Sequence, residues 1–260
     1  MRARVALLQA DWPEMDRAGN RARAEHGLRE ARAEGAGIFA LPELWSCGYD
    51  LEAVAGVRDW EVEVEFLRHE SSRGPAILGG SFPEWRKGSE RPGNCAVAFE
   101  AAREVARYRK VHLFGPLGES KYFEAGDARS EVFTLAGLRC AQAICYDLRF
   151  PELFRVLAGQ GVELVAVCAQ WPIARIQHWR TLLMARAIEN QCYVLGVNRL
   201  GTYGGVRFGG NSLLVDPTGL VIIDAGEGTG LFAGEIDVER VRRVRREFPV
   251  LEDRRHDLYE

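Results

Sequence analysis

Apolar residues cluster in short runs along the chain, at 5–8, 38–41, 76–80, 95–99, 138–144, 164–168, 193–197, 213–215 and 221–223. Runs of this length that are apolar throughout, rather than at alternate positions, suit strands covered on both faces. Helical spacing fills several of the intervals. Ala24, Leu28 and Ala31 follow an i, i+4, i+7 pattern within residues 16–34, and Gly35 and Gly37 close that segment. Ile176, Trp179, Leu183 and Ala187 mark a helix over 176–190, Pro151 opens another that Gly159 would end, and the arginine-rich stretch 238–247 reads as an exposed terminal helix. This alternation, up to about residue 197, predicts an α/β fold. Residues 94–109 and the chain beyond 211 lack intervening helices, so antiparallel pairing is expected there. Asp216-Pro217-Thr218-Gly219 predicts a hairpin turn. No low-complexity tract, linker or fixed repeat interrupts the pattern, which predicts one domain over residues 1–260.

Composition narrows the function classes. A hydrophobic share of 47% supports a large core, and a formal charge of −3 gives no basic face for nucleic acid. No apolar run approaches the roughly 18 residues of a membrane span. The opening MRARVALLQADWPE has too short an apolar stretch for a secretory signal, so the chain is expected to be cytoplasmic. Its six cysteines (47, 95, 140, 145, 168 and 192) then read as reduced thiols. With no Cys-x-x-Cys pair and five scattered histidines, neither a metal nor a cofactor is expected. Only three of the 34 basic residues are lysines, at 87, 110 and 121. Where arginine is the default cation, a lysine draws notice as a compact ammonium.

In α/β sheets, ligands gather beyond the carboxyl ends of strands, and three such exits carry unusual polar residues. The run 38–41 leads into Pro42-Glu43-Leu44-Trp45, where a carboxylate among apolar neighbours should be partly desolvated; by itself it reads rather as a helix-start or surface glutamate. A strand over 105–108 leads to Lys110, which alone could be a snorkelling surface lysine. The run 138–144 ends at Cys145, just where a sharp turn must lead into the next helix; the alternative is a buried structural thiol. Together the three form a coherent site. A thiol needs a base, which Glu43 could supply, and a developing oxyanion needs fixed positive charge, which Lys110 could supply. No histidine has an obvious claim, although His112 or His178 would serve a Cys-His acyltransferase or peptidase.

Leu41-Pro42-Glu43-Leu44-Trp45, the segment Tyr108-Arg109-Lys110-Val111-His112-Leu113-Phe114, and Cys145-Tyr146-Asp147-Leu148-Arg149-Phe150-Pro151-Glu152 resemble the three signature segments of the nitrilase superfamily of carbon–nitrogen hydrolases. Order and spacing agree, and the resemblance continues through residues 185–191 and Gly210-Asn211-Ser212. Within the superfamily, the Cys145 segment is similar to the omega-amidase branch, which acts on 2-oxo acid monoamides such as 2-oxoglutaramate, and also to the deaminated-glutathione amidases. Gly115-Pro116-Leu117-Gly118 and Ala169-Gln170-Trp171-Pro172 depart from the usual omega-amidase wording.

The resemblance implies an αββα sandwich with mixed sheets, a homodimer or higher homo-oligomer joined through helices, and a small-molecule amide as the substrate. It further implies a fourth residue, Glu119, for which Glu124 competes. On that basis Glu43 would take the Cys145 proton, and Lys110 with the backbone N–H of Tyr146 would hold the oxyanion of a reaction passing through a thioester. For an anionic substrate Arg149 is the first candidate cation and Arg199 the second, with Trp171 as an apolar wall. The rival readings are an N-carbamoyl-amine hydrolase or nitrilase with the same site, and a non-catalytic interaction protein that keeps the fold.

Overall fold

The computed structural model describes residues 1–259. The first half of the chain forms β1 (Arg2–Gln9), α1 (Arg17–Ala33), β2 (Ile38–Ala40), α2 (Leu51–Ala55), α3 (Glu61–Ser71), β3 (Ala76–Glu84), β4 (Gly93–Glu100) and β5 (Arg103–Arg109). The second half adds β6 (Phe133–Leu135), β7 (Leu138–Ile144), α4 (Pro151–Gly159), β8 (Leu164–Ala169), α5 (Ile176–Asn190) and β9 (Tyr193–Asn198). It closes with β10 (Leu200–Tyr203), β11 (Val206–Gly209), β12 (Leu213–Val215), β13 (Val221–Asp224), β14 (Gly230–Asp237), α6 (Val238–Glu247) and the short α7 (His256–Tyr259).

Strand alternation decides the layering. Val5 and Leu7 of β1, with Ile38 and Ala40 of β2, share one core with Leu138 and Cys140 of β7 and with Leu164 and Leu195 of β8 and β9. The intervening residues Ala6, Leu8 and Phe39 face the other way, onto Ala24 and Leu28 of α1 and Leu67 of α3. Correspondingly, Ala141, Ala143, Val165 and Val167 pack under Leu157 of α4 and Trp179 and Leu183 of α5. The layers therefore run helix, sheet, sheet, helix, which is the αββα sandwich that the resemblance implies.

Both sheets have six strands and are mixed, in the orders β14-β1-β2-β3-β4-β5 and β13-β12-β9-β8-β7-β6. The central pairs β1–β2, β2–β3, β7–β8 and β8–β9 are parallel, and the flanking pairs antiparallel. The two antiparallel steps from β3 to β5 restore the direction of β2, so β2 and β5 end on one edge of their sheet. The second sheet brings the ends of β7, β8 and β9 to the same place. Antiparallel pairing in 94–109 and beyond 211 thus agrees with the sequence reading. At the β12–β13 hairpin, Asp216 Oδ1 accepts from Thr218 N at 2.8 Å and Leu220 N at 3.0 Å, with Gly219 at φ 89°.

The sequence pattern overlooked α2, α3, β6, β10, β11 and β14. In α3, Val62, Val64 and Phe66 alternate like a strand, yet the segment is helical because Val64 and Leu67 can both reach the core, leaving Val62 43% exposed. β14 carries two glycines and is only partly covered, so it lacks an apolar run, but it pairs with β1 along its whole length. Among the described residues no helix is long and apolar enough to cross a membrane.

Candidate active site

Three strand ends build the site. After β2, Pro42 interrupts the ladder, and Leu44 turns at φ 45° while its N–H donates to Ser81 Oγ at 3.0 Å. Gly80 of β3, at φ 63°, lets that turn lie close: a Cβ there would stand 2.1 Å from the Pro42 carbonyl oxygen. The effect is to aim Glu43 inward, where it is 3% exposed. Beyond β5, Lys110 N donates to Asn94 O and Gly126 N to Lys110 O, each at 2.8 Å, which draws the lysine into the interior.

After β7, Cys145 takes the left-handed conformation at φ 46° and opens a 3-10 turn, Cys145–Arg149. A non-glycine residue held there is strained, as expected of an elbow that exposes a reactive side chain. Asp147, fully buried, fastens this elbow. Its Oδ2 accepts from Ile144 N at 2.9 Å and from Tyr108 Oη at 2.7 Å, and its Oδ1 lies 3.2 Å from the His112 N–H and 2.8 Å from His112 Nδ1. One carboxylate therefore ties the cysteine turn to the segment carrying Lys110. Five of the six cysteines are buried, and Cys145 is mostly buried with a small exposed part.

The charged groups meet at the floor of a cavity. Lys110 Nζ donates to Glu43 Oε1 at 3.0 Å and to both Glu119 oxygens at 2.9 Å. Asn94 Nδ2 reaches Glu43 Oε1 at 2.8 Å and Glu119 Oε1 at 3.4 Å. Gln170 N donates to Glu43 Oε2 at 2.9 Å, and Phe114 N to Glu119 Oε2 at 2.6 Å. Burial works against the Lys110 ammonium, but Glu119 and Glu43 outweigh it and hold its pKa well above the usual lysine value. The sequence expectation of a charged Lys110 agrees. Burial, reinforced by Glu43, pushes the Cys145 thiol well up, so the resting group is a thiol that needs a base. Burial followed by the neighbouring Cys145 and Glu43 likewise raises the Tyr49 phenol, leaving a hydroxyl donor on the cavity wall.

Glu43, Lys110, Glu119 and Cys145 share a small cavity with Tyr146, Arg149 and Trp171. The Arg149 guanidinium lies 4.7 Å from the Trp171 ring centroid. Arg199 does not reach the cavity, and its placement corrects the expectation of a substrate contact. It is 1% exposed, and all three guanidinium nitrogens are taken: by Glu14 and Gln170 at 2.8 and 2.9 Å, by Trp12 O at 2.7 Å, and by Leu200 O at 2.9 Å. Through Gln170 it supports Glu43, and through Glu14, which accepts from the Tyr49 N–H, it supports the next stretch of wall. Glu124 stands apart, accepting from Arg91 N at 3.3 Å, whereas Glu119 is the carboxylate at Lys110. His112 is stacked on Phe150 and engaged with Asp147, and His178 lies exposed beside Arg149. Neither hydrogen-bonds Cys145. Among the described residues no group of three or more His, Cys, Asp or Glu is placed to hold a metal ion.

Sequence reading overlooked Asn94, Asp147, Tyr49 and the role of Gln170. Asn94 had a signal, a polar residue immediately before an apolar run, and Asp147 lay inside a quoted motif. Their contacts span residues far apart in sequence.

Residues 4–246 match the carbon–nitrogen hydrolase family. The chain is 35% identical to the 2-oxoglutaramate amidase of Bacillus subtilis over all of both chains. It is also 35% identical to the deaminated glutathione amidase of Escherichia coli O157:H7, over 88% of each. Its fold superposes on Saccharomyces cerevisiae Nit3, a member of the nitrilase superfamily, with a TM-score of 0.89, 26% identity and coverage of 98% of this chain and 97% of that one. The chain belongs to the carbon–nitrogen hydrolases of the nitrilase superfamily and is a hydrolase acting on carbon–nitrogen bonds other than peptide bonds.

Proposed function

We propose that this protein is a thiol-dependent amidase that releases ammonia from a small carboxylate-bearing amide, of the class of 2-oxoglutaramate. The observation that carries the reading is the buried Lys110 ammonium bracketed by Glu43 and Glu119 on the floor of a cavity that Cys145 enters. Glu43 takes the thiol proton, and Sγ attacks the amide carbonyl. The Lys110 ammonium and the Tyr146 backbone N–H receive the oxyanion, each such donor contributing about 3 kcal/mol. Glu43 passes the proton to the departing nitrogen, ammonia leaves, and a thioester remains on Cys145. Water activated by Glu43 then hydrolyses the thioester, while Glu119 keeps Lys110 in place. Arg149 meets the substrate carboxylate, with Trp171 as the apolar wall beside it. The 2-oxo acid assignment draws on the Bacillus subtilis relative.

The Escherichia coli relative favours a second substrate, deaminated glutathione, turned over by the same groups. Ammonia release from 2-oxoglutaramate, and acid release from deaminated glutathione, an N-carbamoyl amino acid and a simple nitrile, separates the readings with Cys145→Ala as blank. Fast Cys145-dependent turnover of 2-oxoglutaramate supports the proposal. Fast turnover of another member alone keeps the chemistry and replaces the substrate.

A homodimer joined through helices belongs to the same proposal. Val156 of α4, Ile188 of α5 and Phe248 after α6, between 43% and 68% exposed, line one groove whose apolar residues favour cover by a second copy. Light scattering of the purified protein gives the mass that decides it.

A further inference from the structure

We propose that Arg175 is a specificity-determining residue, a second cation at the cavity mouth that with Arg149 selects amides carrying a carboxylate. The proposal rests on the amide-hydrolase reading of this site. Arg149 and Arg175 both line the cavity. Trp171 joins them: Arg149 lies over its ring, and its Nε1 donates to the Arg175 carbonyl at 2.9 Å. The turn Ile173–Arg175 is anchored further by the bridge of Pro172 to Phe208 on β11, so the Arg175 backbone has a fixed place at the rim. Neither arginine forms an ion pair with a carboxylate among the described residues. Arg149 meets only His178, at 3.4 Å, and the Trp171 face. Other arginines differ among themselves: Arg17, Arg32, Arg107, Arg109, Arg180, Arg199 and Arg240 are paired with acids, whereas Arg139 and Arg155 donate to backbone carbonyls.

Charge balance gives the reason for two cations. The floor holds two carboxylates against one ammonium, so it repels an incoming anion. One arginine at the mouth only cancels that excess, and the second makes the cavity attractive to a carboxylate. Arg149 is half-buried and Arg175 exposed, so Arg175 is the more screened of the two. Its contribution should be a KM effect of roughly three- to tenfold.

The test compares glutaramate with its methyl ester, the same amide without the charge, by ammonia release from wild type, Arg175→Gln and Arg175→Lys. The acid-to-ester ratio of kcat/KM is expected to fall roughly three- to tenfold in Arg175→Gln, through KM for the acid, and to recover largely in Arg175→Lys. An unchanged ratio, or equal losses on both substrates, overturns the proposal. Glutarate binding by calorimetry, on the Cys145→Ala background with and without Arg175→Gln, reads the same cation without turnover. Equal affinities there also overturn it. The outcomes separate from those of the parent reading. If 2-oxoglutaramate is turned over fast and the ratio does not move, the function stands and the role of Arg175 falls. If 2-oxoglutaramate is inert and the ratio or the glutarate affinity moves as expected, the substrate is wrong and the selector stands.

Discussion

Replacing Lys110 by methionine keeps the aliphatic stem and removes the ammonium. Two consequences follow from the geometry. First, Glu43 and Glu119 lose the group that lies 2.9–3.0 Å from both, and only the Asn94 amide remains between them. Removing one partner of a buried ion pair costs about 3–5 kcal/mol, and here part of that is recovered if one carboxylate takes up a proton. A stability loss of about 3 kcal/mol in urea unfolding is therefore expected. Secondly, on the proposed mechanism the oxyanion loses its charged donor, worth about 3 kcal/mol or roughly a hundredfold in rate. In ammonia-release assays kcat should fall at least about a hundredfold, with KM changed little. Arginine at 110 retains the charge but presents a larger planar group to a site only 2% exposed, so Lys110→Arg should fail as well. The pH dependence has a definite sign. Because the folded pKa is held above 10.5, the stability that this ammonium contributes is complete below about pH 10.5 and is lost only as pH climbs through the raised folded value. The stability gap between wild type and Lys110→Met should be level across neutral pH and narrow in strong alkali. Turnover within tenfold of wild type in either variant would refute the reasoning.

Asp147→Asn places an amide NH₂ among four donors, so thermal denaturation should show a loss of about 2–4 kcal/mol, and kcat should fall as the Cys145 turn loosens from the Lys110 segment; unchanged stability would mean that this network holds nothing. Arg199→Met should lower kcat about tenfold, by loosening Gln170 behind Glu43, with little change in KM. A rise in KM alone would restore the substrate-binding role that its placement argues against. Iodoacetamide alkylation of Cys145, followed by peptide mass spectrometry, should keep accelerating above the ordinary thiol range of about pH 8.5, because burial and Glu43 hold the proton on sulfur. A plateau below pH 7 would instead mark a thiolate paired with an imidazolium.

The range of each interaction decides how much of the fold and of the site is legible in the sequence. Strands buried on both faces carry a strong local signal, so β1 to β4 and β7 to β9 stand out as apolar runs. α3 and β14 were hidden because the first alternates at a strand-like period and the second draws its stability from pairing with β1 rather than from its own apolar content. Glu43, Lys110 and Cys145 were legible because each ends a strand at the edge where such sheets bind ligands. Arg199 also ends a strand, and there the same rule misled: its guanidinium turns inward to Glu14, Gln170 and Trp12, partners that no spacing reveals. Asn94 and Tyr49 were missed for the related reason that each matters through groups tens of residues away.

The central claim is that Cys145 carries the acyl group as a thioester while ammonia departs. Mixing the enzyme with 2-oxoglutaramate, quenching in acid during turnover and weighing the peptides tests this directly. The account predicts an adduct on the peptide containing Cys145, with the mass of the substrate less ammonia, absent from Cys145→Ala and decaying as substrate is exhausted. Sustained ammonia release with no such adduct, or release that survives Cys145→Ala, would contradict it.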